Sequence, residues 1–156
     1  MLISEIYHKK ARTISSSVTI KEALQELIAN KINGLIVVDG NRTVVGVLSI
    51  QDIAAATLPR QFRTNINMAA AMYRKGFFHE QCADIADQPI KKFMRKSFVS
   101  VSLHDNILAV IADFLNNDLY IVPVIEKKQL IGIVTRSEIK NALAFGMKKN
   151  KDIQIK

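Results

Sequence analysis

The chain has 156 residues, of which 49% are hydrophobic and 23% are charged, and its formal net charge is +8. This composition is typical of one globular domain or two small ones, and it excludes a mainly disordered chain. The longest apolar runs are too short to span a membrane, and the acidic start is unlike a secretory peptide. One cysteine, Cys82, forms no internal disulfide, so we expect a cytoplasmic protein.

An internal repeat organises the sequence. Residues 2–39 align with residues 89–126 without a gap, and residues 45–49 then align with residues 131–135. The apolar pattern is shared along the whole alignment, and identical residues occur at Ile3/Ile90, Lys9/Lys96, Ser15/Ser102, Ile20/Ile107, Asn30/Asn117 and Val37/Val124. Such self-similarity predicts two copies of one structural unit.

Each copy predicts the same elements in the same order. In the first copy, residues 13–15 alternate like a short strand, and residues 20–28 carry apolar side chains at helical spacing. Two β-branched runs, 35–38 and 44–48, follow around a turn at 39–42, and a second helix begins at Ser49-x-x-Asp52. The second copy repeats this order at 100–102, at 107–115, around a turn at 126–129 and at Thr135-x-x-Glu138. The sequence therefore predicts an α+β fold with two β-α-β-β-α repeats.

The segment between the copies has no counterpart in the repeat. Pro59 ends the helix before it, and helix-forming residues predict a helix over 66–75 with Gly76 as its stop. The apolar content of the segment predicts packing on the repeats or on another subunit. We thus divide the chain into repeat 1 (1–58), an inter-repeat helical segment (59–88), repeat 2 (89–146) and a frayed basic tail (147–156).

The repeat resembles the tandem CBS domain, named after cystathionine β-synthase. The resemblance rests on residues 123–126 and 132–139 of the second copy, and on residues 36–39 and 46–53 of the first. It implies two repeats packed about a pseudo-twofold axis, with clefts that bind AMP, ADP, ATP or S-adenosylmethionine. It also implies a regulatory homodimer that signals to a partner protein.

The same resemblance implies the ligand-binding residues. It assigns Asp52 and Glu138 to the ribose hydroxyls, and Ser49, Thr135 and Arg136 to phosphate. It places Thr13, Ser15, Ser100 and Ser102 around the base, together with the backbone near Ile36 and Pro123. Carboxylate oxygens suit a vicinal diol, and the N–H groups at a helix start favour an anion. Ser/Thr-x-x-Asp/Glu is also a helix capping box that needs no ligand, so both interpretations stay open.

Other motifs give little support to catalysis or metal binding. His79 and Cys82 have the spacing of two zinc ligands on a helix, but no matching pair follows. The six glycines form no phosphate-binding loop, and no nucleophilic set is evident. We therefore expect no enzyme, no metal and no required cofactor.

Basic runs at 8–12 and 91–96 occupy matching positions in the two copies. They fit a solvated face, and they also fit enrichment of anionic ligands near the clefts. Nucleic-acid binding rests on charge alone, and the aromatic content of 6% gives no support for base stacking. A ligand-sensing module is the first functional hypothesis. A dimeric protein-interaction module with vestigial pockets is the alternative.

Overall fold

The computed structural model describes residues 1–71 and 74–148, and only the backbone of Ile66. Its strands are β1 (Thr13–Ser15), β2 (Gly34–Val38), β3 (Val44–Ser49), β4 (Ile121–Glu126) and β5 (Gln129–Thr135). Its α-helices are α1 (Ile20–Asn30), α2 (Ile50–Ala56), α3 (Arg60–Arg63), α4 (Ile66–Ala71), α5 (Phe77–Ala86), α6 (Ile107–Asn117) and α7 (Arg136–Gly146). Short 3₁₀ turns span Ile3–Glu5 and Ile90–Lys92. The mixed α+β fold is confirmed.

The chain forms two compact units whose boundaries differ from those of the sequence repeats. The continuous unit comprises residues 12–98, and the split unit comprises residues 1–11 together with the chain from Val99 onward. The segment that precedes each repeat's first strand therefore packs with the elements of the other repeat. The repeats at 1–58 and 89–146 are units of sequence similarity, whereas packing divides the chain near Arg12 and Phe98.

The continuous unit is built on a three-stranded sheet in the order β1-β2-β3. β1 is parallel to β2, and β2 is antiparallel to β3. The predicted hairpin is confirmed, and its turn is held by Asp39, whose Oδ1 accepts hydrogen bonds from the N–H groups of Asn41 and Thr43 at 3.0 Å each. A short polar side chain that bonds backbone N–H groups two and four residues ahead stabilises such a turn.

Helix α1 lies against this sheet with one apolar face. Thr19 caps its start, because its Oγ1 accepts from the Glu22 N–H at 3.2 Å while Glu22 Oε2 accepts from the Thr19 N–H at 2.7 Å. The helix ends at Lys31, whose φ of 53° is left-handed. Its buried residues are Ile20, Ala23 and Leu27, which belong to the predicted apolar face, whereas Ile28 of the same pattern is 68% exposed.

The split unit contains a two-stranded antiparallel sheet made of β4 and β5. The strands are joined through Lys127 and Lys128, whose φ angles are 48° and 66°. Two successive residues with positive φ match the right-handed twist of the flanking strands, so this connection has the geometry of a tight hairpin turn. The predicted second hairpin is confirmed.

The strand predicted at residues 100–102 is present only as a single bridge. Val101 makes only an isolated parallel bridge to Val124, with its N–H donating to the Pro123 carbonyl at 3.0 Å. In the first copy, the Ile36 N–H donates to the Arg12 carbonyl at 3.3 Å and extends the ladder. Pro123 stands at the matching position and has no N–H, so the same bond cannot form. The first strand of the second copy is therefore shortened to one bridge, and the order of elements in the repeat is kept.

Each unit has its own hydrophobic core. In each unit, an isoleucine from the segment before the first strand of the other repeat completes that core. Ile90 is fully buried in the core of the continuous unit, among side chains of α1, β2 and β3. Ile3 is fully buried in the core of the split unit, among side chains of α6, β4 and β5. These two isoleucines align in the repeat, so the same sequence position closes both cores.

The described residues of the inter-repeat segment form three helices, α3, α4 and α5. The helix predicted over 66–75 is shorter, because α4 ends at Ala71 and Arg74 is not helical, while Met72 and Tyr73 lie outside the described residues. Gly76 is not a stop for that helix: it has a φ of 85° and begins α5. Ile85 of α5 is buried in the core of the continuous unit, and α5 contacts α1. The expected packing of this segment on the repeats is thus observed for α5.

No helix within residues 1–71 and 74–148 has the length and apolar character needed to cross a membrane. The predicted basic tail (147–156) lies outside the described residues after Lys148.

Candidate functional site

The residues predicted to bind ligand divide between the two units. The continuous unit holds Thr13, Ser15, Ile36, Ser49 and Asp52. The split unit holds Ser100, Ser102, Pro123, Thr135, Arg136 and Glu138.

The Ser49 motif of the continuous unit forms a capping box at the start of α2. Asp52 Oδ2 accepts from the Ser49 N–H at 2.7 Å and from the Ser49 hydroxyl at 2.9 Å. The Asp52 N–H donates to Ser49 Oγ at 3.3 Å. The capping interpretation of this motif is therefore confirmed, and Ser49 is buried by it.

The second oxygen of Asp52 lies outside the capping box. Asp52 Oδ1 accepts a hydrogen bond from Arg95 Nε at 3.0 Å, which makes an ion pair. The side chain of Asp52 is 10% exposed and that of Arg95 is 36% exposed. Because water screens a partly buried pair less than an exposed one, added salt should weaken this contact less than it weakens a surface ion pair.

Arg95 was not among the predicted site residues. It belongs to the basic run at 91–96, whose match with the run at 8–12 was the only feature of the sequence that pointed to it. Its partner Asp52 is 43 residues away along the chain, so no local motif joins the two. The alignment pairs Arg95 with His8, which occupies the corresponding place in the split unit.

The backbone holds Arg95 at the edge of the sheet. The Arg95 N–H donates to the Val47 carbonyl at 2.9 Å, and the Val47 N–H donates to the Arg95 carbonyl at 3.1 Å. Gly46 makes room for this approach, since a Cβ there would lie 2.8 Å from the Arg95 oxygen and 3.0 Å from Met94 Sδ. The position of Arg95 is therefore set by the fold and not only by its ion pair.

Four positions in register form a row across the continuous unit. Thr13 of β1 pairs with Ile36 of β2, which pairs with Val47 of β3, and Val47 pairs with Arg95. Ile36 is buried and Thr13 is exposed. The row brings Thr13 and the Ile36 backbone into one sheet with Arg95. Ser15 is also exposed, and its hydroxyl lies 3.0 Å from that of Ser17.

The Thr135 motif of the split unit forms a second capping box, at the start of α7. Glu138 Oε2 accepts from the Thr135 N–H at 2.8 Å and also from the Thr135 hydroxyl. Thr135 Oγ1 accepts from the Ser137 N–H at 3.1 Å. Both predicted ribose carboxylates thus cap helices in this structure.

Arg136, predicted to carry phosphate charge, already has two partners in the split unit. Its guanidinium lies 4.4 Å from the ring centre of Tyr120, and one of its NH2 groups donates to Asp118 Oδ1 at 3.3 Å. A guanidinium stacked on an aromatic ring gains a cation–π interaction. The side chain remains exposed.

The remaining predicted residues of the split unit surround the isolated bridge. Pro123 is buried in β4, and Ser100 is exposed beside the bridge. The Ser102 N–H donates to Asp105 Oδ2 at 2.8 Å, which turns the chain toward α6. Ser100 and Ser102 flank a single bridge, whereas Thr13 and Ser15 belong to a strand that pairs with β2 along its length.

His79 and Cys82 both lie on α5, as their spacing suggested. Within the described ranges, 1–71 and 74–148, no three His, Cys, Asp or Glu side chains are grouped so that they could hold a metal ion.

Two copies of one β-α-β-β-α unit, each with a capped second helix, define the class of this protein. A model of the CBS domain matches residues 3–58 and residues 90–145, once for each copy. The chain belongs to the CBS-domain family.

Relatives and solved structures share this organisation. The chain is 25% identical over 142 residues to an uncharacterized 17.7 kDa protein of Acidianus ambivalens, covering 90% of this chain and 72% of that protein. It is 23% identical to the CBS domain pair of protein MJ0100 solved with 5′-methylthioadenosine and S-adenosyl-L-methionine, with a TM-score of 0.68 over 92% of this chain and 99% of that one. It is 22% identical to CBSX2 solved with AMP, with a TM-score of 0.67 over 93% of this chain and 98% of that one. The structures show a common fold.

Proposed function

We propose that this chain is a regulatory module that binds an adenosine-containing ligand at Asp52 and transmits the change to a partner protein. The observation that carries the proposal is the division of the Asp52 carboxylate. One oxygen is used by the helix cap, while the other faces the Arg95 guanidinium at 3.0 Å. An acceptor oxygen beside a cation is suited to a ribose hydroxyl and an anionic group on the same ligand.

The placement of the other first-copy residues supports this proposal. Thr13 and Arg95 are at opposite ends of the row of paired residues. Thr13 is exposed, so its hydroxyl is available to a base or sugar. Related CBS pairs have been solved with AMP, with 5′-methylthioadenosine and with S-adenosyl-L-methionine. Each of these ligands contains adenosine. Binding regulates a partner only where the ligand favours one conformation over another.

Thermal unfolding in the presence of candidate ligands tests the proposal. Purified, nucleotide-free protein is compared with AMP, ADP, ATP, S-adenosylmethionine and 5′-methylthioadenosine, with GMP as the guanine control. A ligand present at about 100 times its Kd stabilises the folded state by roughly 2.7 kcal/mol. Asp52→Asn keeps the shape of the side chain but removes its charge. We expect it to weaken binding about thirtyfold, or about 2 kcal/mol, so that at the same ligand concentration about 1 kcal/mol of stabilisation remains.

The chain offers a matched control in the capping box of α1. Glu22 accepts hydrogen bonds from Thr19 in the same way that Asp52 accepts them from Ser49. The hydrogen bond from the Thr19 backbone, followed by that from its hydroxyl, lowers the pKa of the exposed Glu22 carboxyl below its ordinary value. Glu22→Gln should therefore disturb a cap without changing ligand affinity. Equal affinity in wild-type and Asp52→Asn protein would remove Asp52 from the site. No stabilisation by any adenosine compound would reject the proposal.

A second candidate function is a dimeric interaction module, and exposed apolar side chains in the split unit favour it. Leu108 and Leu115 of α6 and Phe145 of α7 are all exposed, and Met147 follows them. A cleft of about 300 Å³ lies beside Phe145, lined also by Met1, Ile6 and Ala142. Exposed apolar side chains and an apolar cleft are typical of protein-binding sites.

Sedimentation of the purified protein tests this candidate. If the surface makes a dimer, Phe145→Glu should shift the protein to monomer at micromolar concentration, because a charge is costly to bury in an apolar interface. Phe78→Glu on α5 is the matched control, since Phe78 is 72% exposed and Phe145 is 62% exposed. A wild-type protein that sediments as a monomer counts against the candidate.

A further inference from the structure

The connection between α1 and β2 contains an asparagine that is followed directly by a glycine. These residues are Asn33 and Gly34, and no other asparagine of the chain precedes a glycine. The backbone nitrogen after an asparagine is placed to attack the side-chain carbonyl carbon and close a five-membered ring. A side chain on the following residue hinders this approach, whereas glycine has no Cβ. The dipeptide therefore has the composition that favours ring closure.

The Asn33 side chain is available for this reaction. Asn33 is exposed, and its amide group makes no hydrogen bond to the residues that the structure describes, 1–71 and 74–148. Its backbone is held, because the Asn33 carbonyl accepts from the Ile50 N–H at 2.9 Å. The side chain can thus rotate over a fixed backbone, in contact with water.

The Gly34 nitrogen takes no part in the pairing of β2 with β3. The Asn33 carbonyl points toward β3, where it meets the Ile50 N–H. Because the peptide bond is trans, the Gly34 N–H points the opposite way. On that side the first pair of the ladder is Thr13 with Ile36, so Gly34 lies beyond the end of β1. The nitrogen can therefore approach the Asn33 side chain without breaking a strand pair.

We propose that Asn33 is a site of spontaneous deamidation that adds a negative charge beside the start of α2. The Gly34 nitrogen gives its proton to a base and forms a bond with Asn33 Cγ, and the side-chain nitrogen leaves as ammonia. Water then opens the imide ring at one of its two carbonyls. The product is aspartate or isoaspartate at position 33. This inference stands independently of the proposed ligand.

The reaction changes a contact that positions α2. Both products carry a carboxylate where a neutral amide stood. In isoaspartate the chain continues through the former side-chain carbonyl, and a carboxylate replaces the carbonyl that accepts from the Ile50 N–H. Ile50 is the first residue of α2 and follows Ser49, which caps that helix. The modification thus alters the charge and the backbone next to the capping box.

Timed incubation of the folded protein in buffer tests the inference. Cation-exchange chromatography should show a form of lower positive charge that accumulates with time, and peptide mapping by mass spectrometry should place the change at Asn33. The form should accumulate faster as the pH rises, because the attacking nitrogen must lose its proton. Asp39 also precedes a glycine, but its isomerisation leaves the charge unchanged and adds nothing to this form.

A comparison with protein in urea shows whether the folded state itself reacts. If only unfolded molecules reacted, the folded sample would be slower by roughly a thousandfold or more, in proportion to its unfolded fraction. The inference expects a much smaller difference, because the Gly34 nitrogen and the Asn33 side chain are already free in the fold. Slowing by a thousandfold or more would overturn it.

Two glutamine variants provide the chemical control. Asn33→Gln keeps the amide but lengthens the side chain by one carbon, so ring closure becomes unfavourable and the less positive form should be lost. Asn41→Gln makes the same change at an exposed asparagine that precedes Arg42, and it should leave that form unchanged. Absence of the form in the wild-type protein, its assignment to another residue, or its persistence in Asn33→Gln would overturn the inference. If Asn33→Gln does not fold, the peptide map of the wild-type protein decides the assignment.

Discussion

Replacing Ile90 with alanine is expected to lower the free energy of unfolding of the continuous unit by about 2 to 5 kcal/mol. Ile90 is 0% exposed and lies in the same core as Leu27, Leu35 and Leu48. Its N–H also donates to the Val18 carbonyl at 2.8 Å, which fixes the segment against the unit. Truncation removes buried methyl groups and leaves a cavity that this anchored backbone cannot close. Urea denaturation followed by circular dichroism measures the change.

Ile28→Ala is the matched control for this experiment. Ile28 is 68% exposed on α1, so the same truncation there removes little buried surface. Its free energy of unfolding should stay within about 0.5 kcal/mol of wild type. If Ile90→Ala is as stable as Ile28→Ala, the segment before the second repeat does not close the core of the continuous unit.

Replacing Gly132 with alanine is expected to destabilise the split unit by about 3 kcal/mol, equivalent to roughly 12 to 24 °C in Tm for a unit of this size. A Cβ at this position would lie 2.5 Å from the His8 carbonyl oxygen and 2.5 Å from Tyr7 Cδ2. The clash is with backbone, and that backbone is paired with Ile133 through two hydrogen bonds of 2.9 Å. Relief therefore requires the first residues of the chain to move away from β5. Differential scanning calorimetry measures the effect.

Gly40→Ala adds the same methyl group where nothing lies within 4 Å, and it should change Tm by no more than about 4 °C. A Gly132→Ala protein that melts with the wild type would show that residues 7 and 8 do not pack on β5. The two glycine variants thus separate a specific contact from the general effect of a glycine substitution.

The order of elements was predictable because the same sequence pattern occurs in both copies of the repeat. Each hairpin was marked by turn residues between β-branched runs, and each second helix by a capping motif that the structure confirms. The strand predicted at 100–102 is shortened to one bridge because Pro123 lacks the N–H donor that Ile36 has in the first copy. The start of α5 was missed because a glycine with positive φ fits either end of a helix, so Gly76 was taken as a stop.

The site was only partly predictable, for a different reason. The motif at Ser49 and Asp52 is local, so sequence spacing was enough to find it. Arg95 lies far along the chain and reaches Asp52 because the segment before the second repeat pairs with β3. Sequence similarity shows that Ile3 and Ile90 are equivalent, but it does not show which core each one enters.

The division of the chain also sets an order of events during synthesis. Residues 12–98 are continuous, so this unit is complete once residue 98 has emerged from the ribosome. Residues 1–11 emerge before this unit, but the rest of their own unit is made only from Val99 onward. At about 5 to 20 residues per second, the stretch from Val99 to Lys148 takes roughly 3 to 10 s to make. During this time the residues that bury Ile3 have not yet been made, whereas all residues of the continuous unit are available to fold.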